Sequence, residues 1–148
     1  MKIFNKNFLL VTKRKKYFYI LTIIFIKMVN WNSVKRPQNL NVIISIDISG
    51  KKLKQLPNWI DKCINLQLLN FSHNQITRIS SNLPDNLQEL YCSNNQITCL
   101  PFTLPSNLQK LYCYNNQLTC LPSVLPNNLQ ILNCSGNHLT SLPSTLPN

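Results

Sequence analysis

Acidic residues are nearly missing from this chain: Asp47, Asp61, Asp85 and Glu89 are the only four among 148 residues. No outward-facing two of them fall close enough in the sequence pattern to suggest an acid–base pair. Glycine is scarcer still. Gly50 and Gly136 stand alone, which excludes a glycine-rich loop that could cradle phosphate. There is no C-x-x-C pair, and His73 and His138 are not spaced to complete a zinc site with the cysteines. No Ser-His-Asp or Cys-His set has outward members at workable spacing. A long apolar run is also lacking: residues 17–26 number ten, against the ~20 that an ordinary spanning helix needs. The reading these absences leave is non-enzymatic, with no cofactor and no metal expected.

What the chain does have is a repeat. Four segments, 66–76, 87–97, 108–118 and 129–139, align without gaps at a step of 21 residues. Each reads L-x-x-L-x-(F/C)-x-x-N-x-(I/L), as in Leu87-Gln-Glu-Leu-Tyr-Cys-Ser-Asn-Asn95-Gln-Ile97. A weaker copy over residues 43–53 lies 23 residues upstream and has Lys51 in place of the asparagine. Further markers recur after the asparagine: Leu56-Pro57, Ile79-Ser80, Leu100-Pro101, Leu121-Pro122 and Leu142-Pro143, then Leu-Pro-x-Asn-Leu beginning at Leu83, Leu104 and Leu125.

Each column has a physical reason. Alternation over Leu90-Tyr91-Cys92 describes a short strand with Leu90 and Cys92 inward and Tyr91 outward. A fixed period makes such strands parallel, and no unit buries its apolar side alone, so the inward residues must stack into one continuous core. Asn74, Asn95, Asn116 and Asn137 sit where the chain turns away from the strand. They read as an inward ladder bonding backbone groups that the turn leaves unpaired. The prolines fix φ and remove donors, which suits an extended, polyproline-like or 3-10 return path with little helix. The predicted organisation is a leader and cap over 1–42, including a possible short N-terminal helix, and a repeat domain over 43–148. Its units fall near 43–65, 66–86, 87–107, 108–128 and 129–148.

At this point the chain resembles leucine-rich-repeat proteins. Its short units are similar to those of secreted bacterial effectors and to giant-virus and amoebal repeats. The resemblance covers about residues 43–148. It implies an α/β-type repeat solenoid with parallel strands on a concave face used for protein binding. Some bacterial relatives add a ubiquitin-ligase domain after the repeats. The sequence stops at Asn148, within a residue of finishing its fifth unit, so ligase activity is not carried over. An open last unit also suggests edge-to-edge self-association, or a repeat-family fragment with no independent activity.

The formal charge of +11 invites a nucleic-acid partner, but its distribution argues against one. Thirteen of the fifteen Lys and Arg lie in residues 1–62, whereas residues 63–148 carry Arg78 and Lys110 against Asp85 and Glu89. No basic stripe recurs with the repeat, as a nucleic-acid-binding solenoid requires. The basic stretch Lys13-Arg-Lys-Lys16 before apolar residues 17–26 has a signal-like layout without a small-residue cleavage site. Three readings fit it: a membrane anchor over residues 13–27, a cover for the first repeat, or a leader with no role in the fold. Trp31, Val34, Val42 and Trp59 are the candidate cap residues, since terminal repeats need covering.

The six cysteines follow the repeat register. Cys92, Cys113 and Cys134 share an inward column with Phe71, and Cys99 and Cys120 share a second column with Arg78 and Ser141. The expectation is reduced thiols packed in the core, with disulfides and metal as weaker readings, and a reducing compartment. The outward columns are Leu68/Glu89/Lys110/Ile131, Asn70/Tyr91/Tyr112/Asn133, Ser72/Ser93/Tyr114/Ser135 and His73/Asn94/Asn115/Gly136. Tyrosine supplies large contact area with few rotors to freeze. Tyr91, Tyr112 and Tyr114, flanked by Glu89, Lys110, Asn94, Asn115 and Asn133, are therefore the candidate partner-binding residues. The plainer reading is that duplication left tyrosine and asparagine on an exposed strand.

Overall fold

A computed structural model describes residues 39–79, 82–143 and 147. Five three-residue strands run in order through it: β1 (Ser45–Asp47), β2 (Leu68–Asn70), β3 (Glu89–Tyr91), β4 (Lys110–Tyr112) and β5 (Ile131–Asn133). They form one parallel sheet in the order β1-β2-β3-β4-β5. Its register pairs Ile46 with Leu69, Leu69 with Leu90, Leu90 with Leu111, and Leu111 with Leu132. This is the expected repeat solenoid, with almost no helix. The only helical pieces among the described residues are 3-10 turns at Leu40–Val42 and Ile60–Lys62.

The core follows from the columns. Ile46, Leu69, Leu90 and Leu111 are fully buried from the strands, and Ile48, Phe71, Cys92 and Cys113 are fully buried two residues further on. Leu66, Leu87 and Leu108 close it from below, and Ile76, Ile97 and Leu118 from above. Truncating one such leucine to alanine costs about 2–5 kcal/mol, because the stacked coils on both sides cannot collapse into the gap. Towards β5 the core thins, with Leu132, Cys134 and Leu139 only partly buried.

Backbone groups outside the strands are paired coil to coil. The N–H of Phe71, Cys92 and Cys113 donates to the carbonyl of Tyr91, Tyr112 and Asn133 at 2.8–2.9 Å. On the return path, the carbonyls of Pro84, Pro105 and Pro126 accept from Leu87, Leu108 and Leu129 at 3.0 Å, and Cys63 does the same for Leu66 at 2.9 Å. Leu-Pro-x-Asn-Leu is therefore a turn signal. Its asparagine ties coils together as well: Asn86, Asn107 and Asn128, with Asn65 at the same place in the first unit, each donate from Nδ2 to a carbonyl of the preceding coil, those of Ile64, Asp85, Ser106 and Asn41.

Two sequence expectations are corrected at the first coil and in the cysteine columns. Of the cap candidates, Trp59 is buried but Val42 is 37% exposed; Leu40 and Ile43, beside the first 3-10 turn, are buried instead. Trp31 and Val34 lie outside the described residues, as do the anchor candidate 13–27 and the possible N-terminal helix. All six cysteines are thiols, but core packing holds only for Cys63, Cys92 and Cys113, with Cys134 half-buried; Cys99 and Cys120 are exposed. Their column lies beyond the strand and turn, where the chain no longer alternates between inside and outside. No helix among the described residues is long and apolar enough to cross a membrane.

Candidate functional site

The outer strand face is built by register. Because β3 and β4 pair residue for residue, Glu89 stands beside Lys110 and Tyr91 beside Tyr112. The Glu89 carboxylate accepts from the Tyr91 hydroxyl at 2.6 Å and from Lys110 Nζ at 2.9 Å. The Tyr91 and Tyr112 rings stack, with centroids 5.1 Å apart and planes within 5°. An offset stack of this kind contributes about 0.5–1.5 kcal/mol beyond area burial. The bond from its hydroxyl to Glu89 orients the Tyr91 ring of the stack, which reduces the rotamer entropy that a ligand must quench at that ring.

Ionisation follows the same contacts. The Tyr91 hydroxyl and then Lys110 hold the Glu89 carboxyl below its usual range, although partial burial acts in the opposite sense. Donation to Glu89, with burial second, pushes Tyr91 up to about 12. The bond to Glu89 also raises Lys110. Glu89 is thus a carboxylate already shared by two donors.

The remaining candidates do not join this cluster. Asn133 Oδ1 turns back onto its own chain, accepting from Ser135 N–H at 3.2 Å and Ser135 Oγ at 2.8 Å. Asp47 caps Ser49 the same way, and Asn70 accepts from the Ser72 N–H. In the tyrosine coils this column has lost its acceptor, and Ser93, expected outward, is instead 1% exposed. Its hydroxyl has no partner among the described residues. A buried hydroxyl in that state costs about 1–3 kcal/mol. Tyr114 is half-buried in the same column and lies outside the ring stack.

Asn94 and Asn115 form a separate line with His73. Asn115 Nδ2 donates to Asn94 Oδ1 at 3.0 Å, and Asn94 Nδ2 lies 3.4 Å from His73 Nε2. All three have positive φ, between 53° and 57°, as do Gly50 and Gly136 in the same column. This column is the left-handed residue of each turn, where Asn and Gly are at home. A Cβ at Gly136 would run into Asn115 Oδ1. The sequence signal for this turn is Gly50, Asn94, Asn115 and Gly136 recurring at one position of the repeat.

The inner asparagines bond the backbone. In Asn95, Oδ1 accepts from Ile76 N–H at 3.0 Å, while Nδ2 donates to the carbonyls of Phe71 and Cys92 at 3.1 Å each and Ser93 at 3.2 Å. Asn116 repeats this with Ile97, Cys92 and Cys113, and Asn137 with Leu118, Cys113 and Cys134. Asn74 reaches the irregular first unit, accepting from Lys51 and Leu53 N–H at 2.9 Å each.

With this geometry in place, comparison with known proteins is decisive for the family. The description "Leucine Rich repeats (2 copies)" matches residues 64–104 and 85–127, and "Leucine Rich Repeat" matches 128–148. The chain belongs to the leucine-rich-repeat family. Among solved structures it is similar to YopM from Yersinia enterocolitica, at 32% identity and a TM-score of 0.67, over 77% of this chain and 24% of that one. It is also similar to a Shigella effector leucine-rich-repeat domain, at 28% identity and a TM-score of 0.64, over 88% of this chain and 61% of that one. A leucine-rich-repeat protein of Leptospira interrogans matches at 31% identity and a TM-score of 0.58, over 74% of this chain and 38% of that one. The leucine-rich-repeat chain thus spans less than two thirds of each. A comparison with curated proteins returns no match. Leucine-rich repeats are typically non-enzymatic protein-interaction scaffolds, and bacterial effectors are among the structural neighbours.

Proposed function

We propose that this leucine-rich-repeat chain is a non-enzymatic scaffold that binds a protein partner on its outer strand face, with Tyr91 and Tyr112 at the centre. The observation that carries the reading is the stacked pair, in which Tyr91 is hydrogen-bonded to Glu89 and Glu89 in turn to Lys110. Preorganised aromatic side chains lose little entropy on binding and are enriched at hot spots. Glu89 and Lys110 neutralise each other, and residues 63–148 carry two basic and two acidic side chains. A partner surface of mixed polarity therefore fits better than a polyanion.

The test uses the full chain as bait to isolate a partner, followed by affinity measurement for Tyr91→Ala and Tyr112→Ala. Each truncation is expected to weaken binding roughly 30-fold, the loss of a hot spot worth about 2 kcal/mol. Unchanged affinity in both variants, with the fold intact by circular dichroism, would refute the tyrosine centre.

A further inference from the structure

Strand register sets Asp47, Asn70, Tyr91, Tyr112 and Asn133 side by side in one outward column. The Tyr91 and Tyr112 planes are parallel to within 5°, with centroids 5.1 Å apart. Each ring therefore uses one face in the stack, and the second face of Tyr91 is turned away from Tyr112, toward β2. The next side chain on that side is Asn70. It is short, and its Oδ1 accepts from the Ser72 N–H at 3.1 Å, so it stays by its own backbone, below the level of the phenol rings. One strand further stands Asp47, exposed at the end of β1. Its Oδ1 accepts from Ser49 N–H at 3.0 Å and from Ser49 Oγ at 2.7 Å.

Charge selects what fits over Asn70. The one ion pair among the described residues is Lys110 with Glu89, which leaves Asp47 as the uncompensated charge of the strand face. The lysines nearest to it in sequence, Lys51 and Lys52, lie in the turn past Gly50 and not in the strand column. Strands β1 and β3 are two ladder steps apart, about 9.5 Å, with a ring face on one side and a carboxylate on the other. A cation within ~6 Å of a ring centroid is attracted to the negative face of the ring. Tyr91 offers an electron-rich face, because its hydroxyl donates to the Glu89 carboxylate at 2.6 Å and is polarised toward phenolate.

We propose that the space over Asn70, between the Tyr91 ring and the Asp47 carboxylate, receives an arginine side chain of the protein partner. This rests on the reading of the strand face as the partner-binding surface and adds the chemistry of what docks there. A planar guanidinium lies along the ring as a third member of the stack and turns its N–H edge to Asp47, whereas a lysine ammonium has no plane to stack. Leu68, half-buried on the same face of β2 as Asn70, packs against the methylene stem.

The probe is N-acetyl-arginine amide, titrated into the full-length protein at low ionic strength while the Tyr91 ring signals are followed by nuclear magnetic resonance. A saturable shift of the Tyr91 ring is expected. Affinity should fall roughly fivefold in Asp47→Asn, the upper end for one exposed ion pair. Asparagine holds the same place in β2 and β5, where it accepts from Ser72 and Ser135 as Asp47 does from Ser49, so this variant keeps the turn. N-acetyl-lysine amide should bind more weakly than the arginine probe. Absence of a saturable shift, an equal response to the lysine probe, or unchanged affinity in Asp47→Asn overturns the arginine site. None of these outcomes touches the tyrosine-centred face, which stands or falls on partner affinity in Tyr91→Ala and Tyr112→Ala.

Discussion

Glu89 is the residue on which the candidate face turns, since it accepts from Tyr91 and Lys110 at once. Its lowered folded-state pKa means that its contribution is present above the ordinary value of 4.5 and is lost as pH falls through the lower folded value. Tyr91 runs the other way. Raised from 10.0 to about 12, its contribution is full below pH 10 and is lost as pH rises through about 12. Lys110, also raised, follows Tyr91 in direction. An ultraviolet titration should show one late-ionising tyrosine that disappears in Tyr91→Phe and shifts back towards 10 in Glu89→Ala. An unchanged curve in Glu89→Ala would show that the hydrogen bond does not hold in solution. The sequence made Tyr91 legible as outward, because Leu90 and Cys92 on either side of it are apolar. It did not reveal that the tyrosine hydroxyl closes on Glu89, or that Ser93 is buried, because both depend on what the neighbouring coil places alongside.

At the scale of the element, one coil is a three-residue strand, a left-handed residue and an inward asparagine, followed by a proline turn. The asparagine carries most of this. Asn95→Ala would orphan the Ile76 N–H and weaken the pairing of the Phe71 and Cys92 carbonyls. With roughly 1–3 kcal/mol for each group left unsatisfied in the interior, the expected loss is on the order of 3 kcal/mol by chemical denaturation. Asn86→Ala removes one exposed bond, to Ile64, and should cost about 1 kcal/mol or less. Equal losses would mean that the inner ladder is no more than another surface contact. The inner column was readable because a polar residue recurring at one place in an apolar pattern must satisfy backbone groups. The outer column of Asn65, Asn86, Asn107 and Asn128 recurs as plainly, but its role needed the turn geometry. Cys99 and Cys120 were misplaced because recurrence reports position along the coil and says nothing of direction once alternation has ended.

For the whole molecule, the period fixed the architecture. Parallel strands, the β2–β5 register and the continuous core follow from the 21-residue spacing, and the first coil joins β2 at the 23-residue step of the weaker copy. Charge asymmetry between leader and repeats was likewise visible. Less legible was the first coil's closure, where Leu40 and Ile43 are buried and Val42 is exposed. That choice depends on a 3-10 turn whose three residues carry no periodic signal.

The strand order β1-β2-β3-β4-β5 also has a mechanical meaning. Each strand is bonded only to those beside it, so tension along the chain loads one coil junction at a time, as in a zip. A released coil of 21 residues lengthens the chain by about 70 Å at ~3.3–3.6 Å per residue. Pulled from the C-terminal side in a single-molecule trap, the solenoid should yield in steps of that size. It should begin at β5, where the core is thinnest, and reach the Tyr91–Tyr112 pair after β5 has come away.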